Sequence, residues 1–541
     1  MTSVLGHLLS YEFDPRYKSW TSCDPCALFD ARIEVFVASN GKPVADNIKQ
    51  QARQADLLYI WTDCDREGEH IGTEIRSVAK QSNQTLGCAG GTIRARFSNI
   101  ERAHIIHAAQ HPTDLDEAQA NAVASRIELD LRVGASLTRH LTLTLRPILH
   151  RENLSESSPL ISYGSCQFPT LGFIVERYLR VRNFIPETFW VIKLLYQKAG
   201  IKVNFSWARK HLFDRMTAIV LYEWCLNSQT AQVQKVKTKP TSKWRPLPLT
   251  TLELQKCGSR FLGMNSQKIL QLAEKLYQKG WISYPRTETD HKDAHGSKTD
   301  ISIRYGPETF NTSGLVVLEH NYLDVYVYDR WGSQELPPFL EGEVFEPTEA
   351  ILSEGKTSPP EYLTEPDLLS RMDANGIGTD ATMADHIATI IDRQYVEARA
   401  QRRQARQGND EEGSDELPTQ ARFSNSCQGR NEIPCRSAGS NSGAGRGHSG
   451  AATGIREFIP TTLGVALVEC HDNMGFETNL TKPFLRKEME LKMKAICNGQ
   501  ITKAQVVNET IEQYREVYTR MKQHPEVLRT AVRKYVFGDV N

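Results

Sequence analysis

Between residues 32 and 96, apolar and polar positions alternate in short blocks. Ile33-Glu34-Val35-Phe36-Val37 has strand character, and residues 44–55 repeat apolar positions at helical spacing. Leu57-Leu58-Tyr59-Ile60-Trp61-Thr62 is an apolar run that stops at acidic residues. Strand, helix and strand in that order predict a parallel sheet covered by helices, with ligands beyond the carboxyl ends of the strands. The acidic cluster after Thr62 falls there. Residues 101–146 read as helical, with Pro112 and Pro147 as breaks, and residues 164–182 as a further helix. Residues 189–207 and 314–328 alternate as strands, while the block from 249 to about 290 is helical up to Gly280. Two β stretches around a helical block predict one β domain interrupted by an insertion. After Pro359-Pro360 the pattern is helical to the end, apart from residues 401–454, which are rich in Arg, Gln, Gly, Ser and acidic residues and read as a disordered surface insertion.

Length changes this picture only by adding cores, since 541 residues exceed what one core organises and predict three or four domains. No run approaches the ~18–20 apolar residues that cross a bilayer, and Met1-Thr2-Ser3 opens without a basic-then-apolar leader, so neither secretion nor a membrane span is expected. Lys and Arg total 65 and so do Asp and Glu, so a nucleic-acid partner must be argued locally. Eleven scattered cysteines fit reduced thiols. The close pair Cys23-Asp24-Pro25-Cys26 lacks a second ligand pair at zinc spacing and reads as two loop thiols.

Candidate chemistry begins at Asp63-Cys64-Asp65-Arg66-Glu67-Gly68-Glu69. Asp63, Asp65 and Glu67 crowd negative charge that a hard divalent cation such as Mg2+ would neutralise; the competing reading is a solvated acidic loop capping a helix. Trp281-Ile282-Ser283-Tyr284-Pro285-Arg286-Thr287-Glu288-Thr289 holds a phenolic oxygen able to attack phosphorus. Arg286 could hold a phosphate oxygen in its planar fork, although Tyr-Pro-Arg alone is more often a turn with a packed aromatic. Residues 235–286 carry eleven basic and two acidic residues, a local net of +9 suited to a phosphate backbone. Gly376-Ile377-Gly378-Thr379-Asp380-Ala381-Thr382 and Gly164-Ser165-Cys166-Gln167-Phe168-Pro169-Thr170 are small, polar helix entries that could take phosphate or serve as ordinary caps.

These runs, taken in order with Ser3-Val4-Leu5-Gly6-His7-Leu8, Glu128-Leu129-Asp130-Leu131-Arg132-Val133-Gly134, Asn321-Tyr322-Leu323-Asp324-Val325-Tyr326 and Phe458-Ile459-Pro460-Thr461-Thr462-Leu463-Gly464, resemble the type IA DNA topoisomerases of the eukaryotic topoisomerase III kind. The resemblance implies a multidomain fold of α/β, α and β parts: a Toprim α/β domain within a four-domain toroidal clamp. Its divisions here would be Toprim at 1–105, a helical gate part at 106–185, a β-rich arch at 186–248 and 310–355, the catalytic tyrosine domain at 249–309, and a helical gate domain at 356–541 carrying the 401–454 insertion. It further implies ATP-independent cleavage of one strand of single-stranded or underwound DNA through a 5′-phosphotyrosyl bond, then strand passage and religation. Tyr284 would be the nucleophile, Arg286 the phosphate stabiliser, and Asp63, Asp65 and Glu67 the magnesium cluster. Gln167, Thr170 and Thr382 would line the single-strand path, with Arg126 and Arg139 as further backbone contacts. A RecQ-family helicase and an OB-fold accessory subunit would be partners, in the nucleus, acting on recombination intermediates.

Two departures accompany the resemblance. The family carries an active-site Glu and Lys on a strand and helix that would precede Met1, and several tens of residues with a His-Pro-Pro stretch where this chain runs from Asp290 to His295. His291 and His295 do not sit in that motif. The alternative expectation is therefore a variant that grips single strands and partner proteins without cutting, and a third is another Toprim enzyme, a nuclease or primase, that does not use Tyr284.

Overall fold

The computed structural model describes residues 1–151, 160–244, 249–284, 293–319, 336–379, 382–401, 455–475 and 478–538. Arg286, the Asn321-to-Tyr326 run, Asp380, Ala381 and all but the first residue of the 401–454 insertion lie outside them. The chain divides into two compact units, one of residues 1–178, 251–287 and 362–541, the other of residues 179–250 and 288–361.

The first unit opens with β1 (Leu9–Phe13), β2 (Ile33–Val37), α1 (Lys42–Ala52), β3 (Leu58–Trp61), α2 (Arg66–Lys80) and β4 (Thr92–Ala95), followed by α3 (Arg102–Gln110), α4 (Glu117–Arg151) and α5 (Gln167–Arg182). Ala45, Ile48 and Ala52 recur at helical spacing on α1 and pack with Val78, Ala79, Leu86 and Leu8. The strand pairing differs from the sequence expectation. β2 pairs antiparallel with β1, and the parallel pair is β3 with β4, joined through α2. Apolar runs identify strands, but their neighbours are chosen by packing that periodicity does not encode. α4 is the axis of this unit: Leu129, Val133, Leu137, Leu141 and Leu145 repeat every fourth residue and are buried, with α2, α12, α13 and α14 (the last three defined below) packed along it. Pro147 does not break α4, which continues to Arg151; a proline there removes one backbone donor near the end of the helix and leaves the preceding turns intact.

β5 (Thr188–Lys198), β6 (Ile201–Trp207), α6 (Arg215–Asn227) and β7 (Ala231–Trp244) begin the second unit. The chain then returns to the first unit for α7 (Thr251–Leu262) and α8 (Ser266–Gln278), and β8 (Asp293–Tyr305), β9 (Glu308–Glu319), β10 (Val344–Phe345) and β11 (Glu349–Lys356) complete the second. Its seven strands form one antiparallel sheet in the order β10-β7-β8-β9-β6-β5-β11. Alternation explains the faces: Val203, Phe205 and Trp207 of β6 are buried while Lys202, Asn204 and Ser206 between them are exposed. The sheet draws its strands from both sides of α7 and α8, and residues 293–305 and 308–309, grouped above with the tyrosine segment, are in its strands β8 and β9.

α9 (Glu365–Ala374), α10 (Met383–Asp392), β12 (Val396–Ala400), β13 (Arg456–Pro460), α11 (Thr462–Asn473), α12 (Phe484–Cys497), α13 (Lys503–Gln523) and α14 (Pro525–Val532) return to the first unit. The antiparallel pair β12-β13 was not expected in a helical region. Ala400 faces Arg456 across it, so the long polar insertion leaves and re-enters the fold at adjacent positions, an arrangement that lets a loop grow at little entropic cost.

His140 on α4 lies edge-on to Tyr518 at 5.0 Å between ring centroids. Burial, with Lys522 adding to it against the pull of Asp24, pushes its pKa down from 6.5 to about 4. Since the unfolded chain binds this proton and the folded chain does not, stability falls as pH drops from 6.5 toward about 4 and rises with pH across that window. Thermal unfolding followed across it should show a shallower acid slope for His140→Phe, by up to about 1.4 kcal/mol per pH unit; an unchanged slope would contradict the assignment.

Candidate active site

The strand β3 ends at Trp61, and α2 starts at Arg66 after four intervening residues. Asp65 is its N-cap, extended at φ −137° and ψ 178°, with Oδ1 accepting the Gly68 N–H at 2.8 Å. Gly68 is required here: a Cβ would lie 1.9 Å from the Asp63 carbonyl oxygen, so only glycine lets the helix start so close to the strand end. Thr62 Oγ1 donates to Gly68 O at 2.8 Å. Arg94 of β4, fully buried, donates to the carbonyls of Thr62 at 2.8 Å and Asp63 at 2.7 Å and pairs with Glu69 at 3.3 Å. The acidic turn is therefore clamped from both sides.

Tyr284 meets this turn. Its hydroxyl donates to Asp65 Oδ2 at 2.8 Å across 219 residues of sequence, and its backbone N–H donates to Ser98 O at 2.7 Å. The ring is 5 % exposed and lies against Tyr277 at 5.4 Å. Burial pushes the Tyr277 hydroxyl up, with the charges of Asp63 and Cys64 adding to it.

Glu67 has different company. Its carboxylate is held by Arg126 of α4 and by His7 Nε2, the latter at 3.2 Å. Burial pushes Glu67 up, but His7 and Arg126 outweigh it and hold its pKa at about 2. His7 is raised to about 9 by its bonds to Glu67 and Glu74, and Glu74 is held at about 2 because His7, His70 and the Leu8 N–H overcome its burial. Asp63, Asp65 and Glu67 do not converge on one point: among the described residues, the set whose ligand atoms approach one another is His7, His70 and Glu74. A magnesium ion that keeps several waters needs only one or two carboxylates. The exposed Asp63 and the tyrosine-bound Asp65 meet that requirement; Glu67, already held by two basic groups, does not add to it.

The polar helix entries gather elsewhere in the same unit. Gln167 Nε2 lies 3.4 Å from His386 Nδ1, and at Gly378, where φ is +83°, a Cβ would be 3.1 Å from His386 and 3.2 Å from Thr382 Oγ1. Gln167 thus meets His386 through its side chain, whereas Thr382 meets it only through the backbone bond from the His386 N–H to Thr382 O at 3.0 Å, its Oγ1 accepting the Thr379 N–H at 2.9 Å. Thr170 and Arg139 are corrected: Thr170 is fully buried with Oγ1 bonded to Cys166 O at 2.8 Å, and Arg139 is buried against the carbonyls of Tyr17 at 2.7 Å and Ser19 at 3.2 Å. Both support backbone rather than face a strand of DNA. Arg126 contacts the acidic turn. Sequence reading missed Arg94, Glu69, Glu74 and Arg486, whose buried guanidinium lies 3.3 Å from Ser165 and 3.7 Å from Asp130; charged residues inside otherwise apolar elements were the available signal.

The basic stretch divides between the units. Lys235, Lys237 and Lys239 alternate along β7, and Lys237 is pushed down by the adjoining Lys235 and Lys239, while Arg260, Lys268 and Lys275 belong to α7 and α8. Cys23 and Cys26 are free thiols. No helix among the described residues is long and apolar enough to cross a membrane.

Residues 1–100 match the family described as the Toprim domain, and residues 114–294 and 291–408 the family described as DNA topoisomerase. The chain is 38 % identical to DNA topoisomerase 3 of Schizosaccharomyces pombe over 99 % of its length and 90 % of that protein. It is 35 % identical to human DNA topoisomerase 3-alpha over 100 % of its length and 55 % of that protein. The fission-yeast alignment runs over 622 residues against 541 in this chain, so that relative has internal segments without a counterpart here. Among solved structures, full-length topoisomerase I from Thermotoga maritima superposes with a TM-score of 0.65 at 19 % identity, covering 95 % of this chain and 86 % of that one.

Gly68→Ala should destabilise the chain by about 1–3 kcal/mol or more, because backbone rather than a flexible side chain blocks the methyl. Gly134→Ala, in the interior of α4 with nothing within 4 Å of its Cβ position, should be neutral or stabilising by up to about 1 kcal/mol. Denaturant unfolding of the two variants checks the contrast.

Proposed function

The chain belongs to the type IA DNA topoisomerases, of the topoisomerase 3 kind, and on that premise we propose that Tyr284 is the residue that cuts and reseals DNA. The observation that carries this reading is the 2.8 Å hydrogen bond from the Tyr284 hydroxyl to Asp65. A phenol is a poor nucleophile until its proton has somewhere to go, and Asp65 supplies an acceptor already in line with it. In cleavage the Tyr284 oxygen forms a bond to phosphorus and the bond from phosphorus to the 3′ oxygen breaks. The phenolic proton passes to Asp65, and a solvent proton completes the 3′ hydroxyl. Religation reverses each transfer, and because one phosphodiester is exchanged for another, no ATP is needed.

Magnesium, held through Asp63, would supply positive charge to the phosphate oxygens as they gain charge. Arg94 holds the carbonyls of the acidic turn, and Arg126 and His7 neutralise Glu67, so Asp65 is kept at the tyrosine. Gln167, beside His386, and Thr382 are proposed to meet the single strand, and Lys235, Lys237 and Lys239 to meet phosphates. Arg286 is proposed as the phosphate stabiliser. Work in the nucleus on recombination intermediates, beside a RecQ-family helicase and an OB-fold subunit, belongs to the same proposal and rests on kinship with the topoisomerase 3 proteins.

Relaxation of negatively supercoiled plasmid with magnesium tests the reading. Tyr284→Phe should abolish both relaxation and the covalent protein–oligonucleotide adduct on denaturing gels while leaving single-strand binding in place. Asp65→Asn should slow cleavage by about 10²–10⁴-fold. Binding without relaxation by the unsubstituted chain would favour the non-cutting variant, and cleavage that survives Tyr284→Phe would favour a nuclease or primase.

A further inference from the structure

We propose that His7, His70 and Glu74 form a binding site for a transition-metal dication of the zinc class, separate from the carboxylates near Tyr284. Their ligand atoms all lie within 4.8 Å of one another. His7 Nδ1 is 3.2 Å and His70 Nε2 3.3 Å from the same oxygen, Glu74 Oε1. Ligand atoms on a tetrahedral zinc with bonds of about 2.0–2.1 Å sit roughly 3.3 Å apart, so these separations need little adjustment.

His70 is 5 % exposed, and its buried Nε2 has no partner in hydrogen-bonding geometry, the Glu74 oxygen 3.3 Å away being out of line with it. An imidazole nitrogen left so inside a protein is costly, and an ion between it and Glu74 would satisfy it. The surrounding bonds are those that metal-bound ligands make. His7 Nε2 contacts Glu67 Oε2 at 3.2 Å, a bond that in the neutral imidazole keeps the proton on Nε2 and would give the Nδ1 lone pair to an ion in place of its 3.2 Å contact with Glu74 Oε1, and Glu74 Oε2 accepts the N–H groups of Leu8 at 2.8 Å and Leu9 at 3.3 Å. Two nitrogens and one carboxylate oxygen favour zinc over magnesium. His7 is 36 % exposed in its side chain, so the ion reaches the site from solvent and keeps a position for water. The site joins residues 7–9, leading into β1, to the middle of α2, and holds Glu67 through His7. It does not depend on whether Tyr284 cleaves DNA.

The test is zinc competition against a chromophoric chelator with the full chain after removal of metal. One zinc should bind per chain, and His70→Asn and His7→Asn should each weaken it by at least about 10–100-fold, while Asp63→Asn with Asp65→Asn leaves it unchanged. Cobalt substituted in the unmutated chain should show the intense visible bands of four-coordinate nitrogen and oxygen ligation, a readout independent of how the variants fold. Zinc affinity indifferent to both histidines, affinity lost with Asp63 and Asp65, or a six-coordinate cobalt spectrum would each overturn the site.

Discussion

Everything at the active site rests on how closely α2 starts to the end of β3. With the Gly68 Cα seated on the Asp63 carbonyl, there is no room for a side chain, and only four residues separate the end of the strand from the start of the helix. That closeness makes Asp65 the cap, and the cap uses one carboxylate oxygen for the helix while leaving the other for Tyr284. From the same start the helical repeat carries Glu67, His70 and Glu74 toward residues 7–9 and turns Glu69 to Arg94. One backbone approach thus distributes five polar side chains to two sides of a helix.

The buried charges around this turn act by the penalty for breaking them. Moving Arg94 and Glu69 out of water costs several kcal/mol per ion, which their attraction returns only with good geometry. Once folded, though, losing either partner would leave the other uncompensated in a dry interior. The same holds for buried Arg486 between Asp130, Glu490 and Ser165. Such pairs give the turn and the polar helix entries little room to drift, which suits the proposed cutting and resealing of a DNA strand.

Local features were readable. The short strand, the acidic turn and the helix after it appear in sequence order, and alternating strand patterns stand on both sides of a helical block. Strand partners were not readable: Ile33–Val37 joins Leu9–Phe13 rather than Leu58–Trp61, because an apolar run states that it is buried and not against what. Thr170 and Arg139 carried the right chemistry for DNA in the sequence, and packing turned both to backbone carbonyls.

The sequence alone determined the pieces whose physics is complete within a few residues, namely the strand, the acidic turn and the helix it opens, and the order of motifs that marks the family. Only the tertiary structure decided that the Tyr284 hydroxyl finds Asp65, that Glu67 is held by His7 and Arg126, and that His70 faces Glu74 and His7. Periodicity and steric limits act along the backbone over one or two turns, whereas the partner of a charged or phenolic side chain is fixed by which helices pack together, and that depends on the whole core at once.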